Sequence, residues 1–275
     1  MTDIHTHIFS KNAKDDRNSY FDDSSFQLFY EKKSSRISDY PDIFNYIDEN
    51  NLDYCSVLGF SWEDHERCLE HNKYISSLND SRLISFASIS SRPFDKIDDY
   101  VKDLKEMKFS GIGEISFYKD GFDKEQAEYV DEILYNAAEH ELAVMLHVNE
   151  PVGHKYMGKY NTNFEKLYEV ICKNPDSKII LSHWGGGIFV YELMNEVREA
   201  FKNVYYDTAA SPFLYDAKIY KSAIDIIGAD KILFGSDFPL LKVQRYLDEI
   251  ENEDICEEEI EKIFGRNARR LFGLG

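Results

Sequence analysis

LAVMLHV, residues 142–148, runs through five apolar residues before its first polar one, His147. A strand with one wet face alternates polar and apolar residues. An unbroken apolar run is what a strand buried on both faces requires. On its N-terminal side lies DKEQAEYVDEILYNAAEHE (123–141), where Ala127, Val130, Ile133, Leu134 and Ala137 fall on one face of a helix. On its C-terminal side a polar loop leads to a second helical stretch, 163–173, and then to another apolar run, KIILSHW (178–184). Helices alternating with doubly buried strands make crossover units and a parallel sheet.

Outward from this unit the pattern repeats. Runs at 1–5, 52–60, 82–90, 111–117, 204–210 and 231–237 bring the total to eight. Helical stretches at 39–50, 62–79, 95–108, 189–201 and 216–227 separate them, and 242–251 and 256–272 follow the eighth. Eight strand–helix alternations predict an α/β protein of one domain, a (β/α)8 TIM barrel over residues 1–275 with 256–275 as a helical tail. A doubly wound open sheet is the alternative. It calls for a glycine-rich turn after an early strand, and the only glycine cluster, Gly185–Gly187, follows the sixth. One connection is irregular. Residues 8–38, polar with scattered aromatics (Phe21, Phe26, Phe29, Tyr30), have no clear structure and part the first strand from its helix. A loop of that length is usually functional. In a barrel it leaves the active face, so it is expected to be an active-site insertion and partial lid.

Composition narrows the partners. The net charge is −19, from 51 acidic against 32 basic residues, and such a field repels polyanions. Nucleic acid is therefore not expected. Neither is a membrane: no apolar run is long enough to cross one, and no basic-then-apolar leader opens the chain. Cys55, Cys68, Cys172 and Cys256 are scattered with no CxxC pair, as in a cytoplasmic protein with reduced thiols. The chain does not fix an oligomeric state; a homodimer is a guess.

The informative residues break the apolar rule. His5 and His7, Glu114, His147, His183 and Asp237 lie at or near the C-terminal ends of runs one, four, five, six and eight. Residues two apart on a strand share a face, so His5 and His7 aim into the same space. In a closed barrel all six converge on one mouth, where burying them unpaired is costly. A divalent cation removes that cost. Imidazole and carboxylate are ligands for zinc, the expected ion, and they also suit iron or manganese. Each residue has an ordinary explanation: a hydrogen-bonded histidine, an ion-paired glutamate, an Asp237 that caps a helix. Six together need six coincidences. His65, His71 and His140 fall in charged helical stretches and are expected in solvent. His154 follows strand five on the active face and is a candidate substrate contact. Asn149, Glu150, Trp184, Tyr118, Lys119 and Arg92 also follow strand ends and are candidates to shape the pocket, with Arg92 and Lys119 suited to a substrate carboxylate.

DIHTHIF, GIGEI, LHVNE, LSHWGG and FGSDFP, in that order, resemble the amidohydrolase superfamily, and more closely its amidohydrolase-related (amidohydrolase 2) branch. That branch includes aminocarboxymuconate-semialdehyde decarboxylase and several lactonases and hydratases. The tail IEKIFGRNARRLFG is similar to the branch's closing helix, and the likeness covers nearly the whole chain. It implies a metal-bearing barrel in which His5, His7 and His147 are ligands. Asp237 would be a ligand or a base, and His183 would bind a second metal or polarise the substrate. Glu114 is a departure. Decarboxylase-like members do not rely on a glutamate there, many binuclear members carry a carbamylated lysine, and TatD-like hydrolases use glutamate in a similar setting.

The expected function is therefore metal-assisted hydrolysis of a C–N or C–O bond, amide or lactone-like, in a small molecule. The ion, one or two in number, activates water, Asp237 moves the proton and Glu114 holds or bridges a second ion. The alternatives are non-oxidative decarboxylation of a small carboxylic acid, a TatD-like phosphodiesterase, and a non-catalytic metal-binding scaffold.

Overall fold

The computed structural model describes residues 1–275. Eight parallel strands pair in chain order: β1 (Thr2–Asp3), β2 (Tyr54–Val57), β3 (Leu83–Ala87), β4 (Gly111–Ile115), β5 (Ala143–Leu146), β6 (Ile179–Leu181), β7 (Val204–Asp207) and β8 (Ile232–Leu233). The ring closes through isolated backbone bonds from the first run to the eighth. Ile4 N donates to Phe234 O (2.9 Å), Asp237 N to His5 O (2.9 Å) and His7 N to Phe238 O (2.8 Å). Each apolar run of the sequence holds one strand, and each strand is shorter than its run. The chain leaves the ladder early at the C-terminal end and turns its polar residues into the mouth.

The first helices, α1 (Lys11–Asp15) and α2 (Ser24–Tyr30), precede α3 (Tyr40–Glu49). Around the barrel follow α4 (His65–Ser76), α5 (Ile97–Glu106), α6 (Lys124–Glu139), α7 (Phe164–Lys173), α8 (Asn195–Ala200), the single turn α9 (Ser211–Leu214), α10 (Lys218–Ile227) and α11 (Val243–Ile250). The tail is α12 (Glu257–Glu261), a wider π turn (Lys262–Arg266) and α13 (Asn267–Phe272). Side-chain alternation divides the core. Along β5, Val144 and Leu146 pack with the helices, whereas Ala143 and Met145 join Ile4, Ile84, Phe86, Ile180 and Leu233 inside the barrel. Ala268 and Leu271 of α13 belong to that inner cluster, so the tail seals the interior away from the mouth.

Two expectations change. Residues 8–38 are not structureless. Ser10 and Asp23 cap α1 and α2 by accepting backbone N–H groups, and the Arg17 guanidinium donates to the carbonyls of Tyr30, Lys32 and Ser35. Phe9, Phe26, Ile37, Phe60 and Trp62 give the segment its own apolar core. Short helices with caps but little amphipathic period are hard to read from sequence. His71 is not solvated either. It is buried in the floor of this segment, with Trp62 Nε1 donating to its Nδ1 (3.1 Å) and its Nε2 facing Ile8 O (3.1 Å).

Candidate metal centre

Local backbone features aim the six polar residues. Ile112 and Ile115 both pack in the outer core although they are three apart. A register shift between them against β5 makes this possible and turns Glu114 inward. Along β6, alternation would send His183 outward with Leu181. The backbone instead becomes left-handed at His183 (φ 56°) and stays so through Gly187, which brings the ring into the mouth. Glycine at 186 is required there: a Cβ would lie 2.4 Å from Asn149 O.

The six meet. His5 Nε2 lies 3.1 Å from His7 Nε2 and 3.7 Å from Asp237 Oδ1, and His7 Nε2 is 3.6 Å from the same oxygen. Glu114 Oε2 is 3.7 Å from His5 Nε2 and 3.8 Å from His7 Nε2. Its other oxygen, Oε1, is 2.9 Å from His147 Nδ1 and 3.4 Å from His183 Nε2, and those two nitrogens are 3.2 Å apart. His5 and Glu114 are buried; His7 and Asp237 are the most open of the set, at 16% and 19% of their side-chain surface.

The donor set suits a divalent cation. Asp207 Oδ2 accepts from His5 Nδ1 (2.8 Å), and Ala209 O accepts from His183 Nδ1 (3.0 Å). In the neutral rings both Nε2 atoms then carry lone pairs, and these point at carboxylate oxygens. Acceptors facing acceptors need a cation between them. Donors held about 2.0–2.2 Å from one ion stand about 3–3.6 Å apart, which is the spacing of the closest pairs here. Without an ion, protons meet part of the demand. Burial alone would lower His5, but Asp207, Glu114 and Asp237 overcome it and raise its pKa to about 10. His183 rises to about 9 against the same burial penalty, through Glu114. Burial, followed by the charge on His5, lowers His7 to about 4. Glu114 is pulled well below the carboxylate range by His147 and His5, although burial opposes this.

The cluster opens into a cavity of about 810 Å³, a size that fits a small organic ligand. Tyr118, Asn149 and His154 line it. Asn149 is already engaged, its amide donating to Tyr156 Oη (3.0 Å) and accepting from Tyr160 N (3.0 Å). Four expected contacts, Trp184, Arg92, Lys119 and Glu150, lie outside the cavity lining. Trp184 is fully buried behind the mouth against Tyr220 and Phe189, because the left-handed turn that brings His183 in carries its neighbour out. Arg92 is drawn to Glu63, outside the cavity lining, and the Lys119 ammonium lies 3.9 Å from the same carboxylate.

The cavity also takes Phe29 and Tyr30, named above only as aromatics of the expected lid, while Arg36 and Asp207 were not singled out in the sequence. Phe29, Tyr30 and Arg36 reach the cavity from the 8–38 segment. Asp207, a carboxylate closing the apolar run VYYD, also binds the backbone N–H of His183 (2.8 Å) and Ala209 (3.0 Å) through Oδ1. Its signal was the one that revealed Asp237.

A buried His/Glu cluster that can coordinate a metal, at the C-terminal mouth of a parallel eight-stranded barrel, defines a class of metal-dependent enzymes. Residues 71–274 match the family model described as Amidohydrolase, and the chain belongs to that family, in its amidohydrolase-related branch. Among curated proteins, a gamma-resorcylate decarboxylase of Polaromonas sp. strain JS666 is 32% identical over 119 residues, which is 37% of this chain and 36% of that protein. The match thus spans about a third of that relative's length. Among solved structures, 5-carboxyvanillate decarboxylase LigW from Sphingomonas paucimobilis superposes with a TM-score of 0.77 at 15% identity, covering 100% of this chain and 99% of that one. A dihydroxybenzoic acid decarboxylase from Polaromonas sp. JS666, with bound manganese and the inhibitor 2-nitroresorcinol, gives 0.66 at 17% identity over 99% and 96%. At these identities the two structures establish the fold.

Proposed function

We propose that the chain is a metal-dependent, non-oxidative decarboxylase of small aromatic carboxylic acids. The cavity carries this reading. Phe29, Tyr30, Tyr118 and Phe213 make its walls aromatic, and its only lysine or arginine, the exposed Arg36, is in no ion pair. A chain of net charge −19 that keeps one arginine unpaired beside a cation-binding cluster is equipped for an anionic aromatic guest. The names of the relatives, decarboxylases of hydroxylated benzoates, support this alternative over the expected amide or lactone hydrolysis. Manganese in one of them makes that ion, rather than zinc, the first to test.

His5, His7, Asp237, Glu114, His147 and His183 would hold the metal. A bound divalent ion supplies positive charge that orients the substrate's carboxylate or phenolate and draws electrons from the ring. Arg36 steadies the anion from the lid side. Asp237, more exposed than the cluster's other carboxylate, is placed to pass a proton to the ring carbon bearing the carboxylate. As that carbon gains its proton, the electron pair of the C–C bond stays with the ring and carbon dioxide leaves. The lid segment keeps the carbon acid–base step away from bulk water.

A second reading, hydrolysis, draws on Glu114, whose two oxygens face different ligand groups in a manner suited to two ions. One experiment separates the readings. Manganese-loaded protein is incubated with γ-resorcylate, 5-carboxyvanillate and a panel of lactones and cyclic amides. Carbon dioxide released mole for mole with an aromatic acid is the expected result. Lactone or amide opening with no carbon dioxide from any acid overturns the proposal.

A further inference from the structure

The rim of the cavity is a second, apolar subsite, and we infer that it takes a further aromatic ring of the substrate, beyond the ring that bears the carboxylate. This rests on the reading of the guest as an aromatic acid anchored at the cluster. Exposure rises along the cavity. At its inner end His5 and Glu114 are buried. At its outer end Met157, Leu240 and Phe213 line it while 48%, 54% and 57% exposed. Half-buried Leu214 and Pro239 extend the same apolar lining. A single exposed hydrophobic side chain needs no explanation, but three on one cavity rim, in a chain of net charge −19, mark a surface kept for an apolar ligand. Size points the same way. A one-ring acid packed at interior density fills roughly 200 Å³. The cavity offers about 810 Å³, so such an acid held at the cluster leaves the rim uncovered.

Backbone contacts hold this rim in place. Leu240 N donates to Asp237 O (2.7 Å), which sets Leu240 one turn from a carboxylate of the cluster. Phe213 N donates to Ala210 O (2.9 Å), and the preceding carbonyl, Ala209 O, accepts from His183 Nδ1. Met157 is followed by Gly158 (φ +90°), whose backbone lies so close to Phe29 that a Cβ would stand 2.7 Å from the ring's Cζ. The three side chains thus come from the connections after β5, β7 and β8, and each is tied to a residue of the cavity. Their positions are set before a ligand arrives, so little ordering cost offsets the apolar surface that a second ring covers.

The test compares 2-hydroxybenzoate with its 4-phenyl and 5-phenyl derivatives on manganese-loaded, full-length protein. Affinity is read by calorimetry, and carbon dioxide release is followed in the same samples. At least one biaryl acid is expected to bind about 10- to 100-fold more tightly than 2-hydroxybenzoate, the worth of burying one ring. Leu240→Ser and Phe213→Ser are each expected to cut that preference at least about threefold. Biaryl acids that bind no more than about twofold more tightly overturn the inference, as does a preference unchanged in both folded variants. The wild-type preference decides the matter if a variant fails to fold. Biaryl affinity that weakens as the protein dimerises gives the rim to a second copy and overturns it too. Carbon dioxide from 2-hydroxybenzoate without a biaryl preference removes the subsite and leaves the decarboxylase reading intact; a biaryl preference lost in the variants, without carbon dioxide from any acid, does the reverse.

Discussion

Replacing Asp207 by Asn should weaken metal binding from a position that touches no metal. The carboxylate is fully buried, with Oδ2 2.8 Å from His5 Nδ1 and Oδ1 bound to the backbone N–H of His183 and Ala209. The asparagine carbonyl can keep both backbone bonds. Its NH2 group must then face His5 Nδ1, and a donor there forces that nitrogen to accept. The ring proton moves to Nε2, the atom 3.1 Å from His7 Nε2 that the cluster needs as a lone pair. Loss of such an orienting partner lowers metal affinity about 10- to 100-fold, or about 1.4–2.7 kcal/mol. The metal-free protein pays separately: breaking one side of a buried pair costs on the order of 3 kcal/mol. Isothermal titration calorimetry with manganese on metal-free wild type and Asp207→Asn checks the first figure, and thermal unfolding of the metal-free proteins checks the second. A folded variant whose manganese affinity stays within about twofold of wild type, well short of the tenfold floor, refutes the tautomer argument.

Three further outcomes follow from the same structure. Burial lowers the pKa of His71 from 6.5 to about 4, opposed by its bond to Ile8 O and aided slightly by His7. Between those values the unfolded chain binds the extra proton, so stability falls as pH drops below about 6.5. The loss is about 2 kcal/mol between pH 7 and pH 5. His71→Gln, which still accepts from Trp62 and does not titrate, should flatten that slope in unfolding measured across the range; parallel slopes would refute it. Gly186→Ala should destabilise by at least about 2 kcal/mol, since its Cβ meets Asn149 O at 2.4 Å in a left-handed turn, and an unchanged melting temperature would contradict the close approach. Arg36→Gln should raise KM for a turned-over aromatic acid about 10- to 100-fold, the worth of one charge-assisted bond, while leaving the melting temperature alone. An unchanged KM would remove Arg36 from substrate recognition.

The barrel was legible because its signal is redundant: eight doubly buried strands each write an apolar run, and one misread run would not change the fold. His5, His7, Glu114, His147, His183 and Asp237 were legible for a related reason, since a polar residue ending an apolar run stands out against it. Direction was not. Strand alternation alone sends Glu114 and His183 outward, and only the shift at Ile112–Ile115 and the left-handed turn at His183 bring them in. Trp184 was misassigned by the same turn, adjacent in sequence to a site residue and opposite to it in space. The structure of the 8–38 segment resisted for a different reason. Helices as short as Lys11–Asp15 and Ser24–Tyr30 are held by caps, by Arg17 on three carbonyls and by an aromatic cluster whose members lie far apart in the chain, and no local period records those contacts.

These failures share a physical origin that bears on the chemistry. A strand end tells which residues arrive at the mouth; tautomers and oxygens decide what they can hold once there. His5 enters as one histidine among eight in the chain, yet its Nε2 keeps a lone pair for a metal only because Asp207, two strands away around the closed ring, accepts the hydrogen bond of its Nδ1. Glu114 enters as a buried carboxylate, and its two oxygens face different histidines, Oε2 toward His7 and Oε1 toward His183. In the proposed function, substrate choice would fall one layer further out, to Arg36 and the aromatic residues that the 8–38 segment brings to the cavity. A change in the lid should therefore alter which acid is accepted while leaving the metal count untouched, and a change at Asp207 should do the opposite.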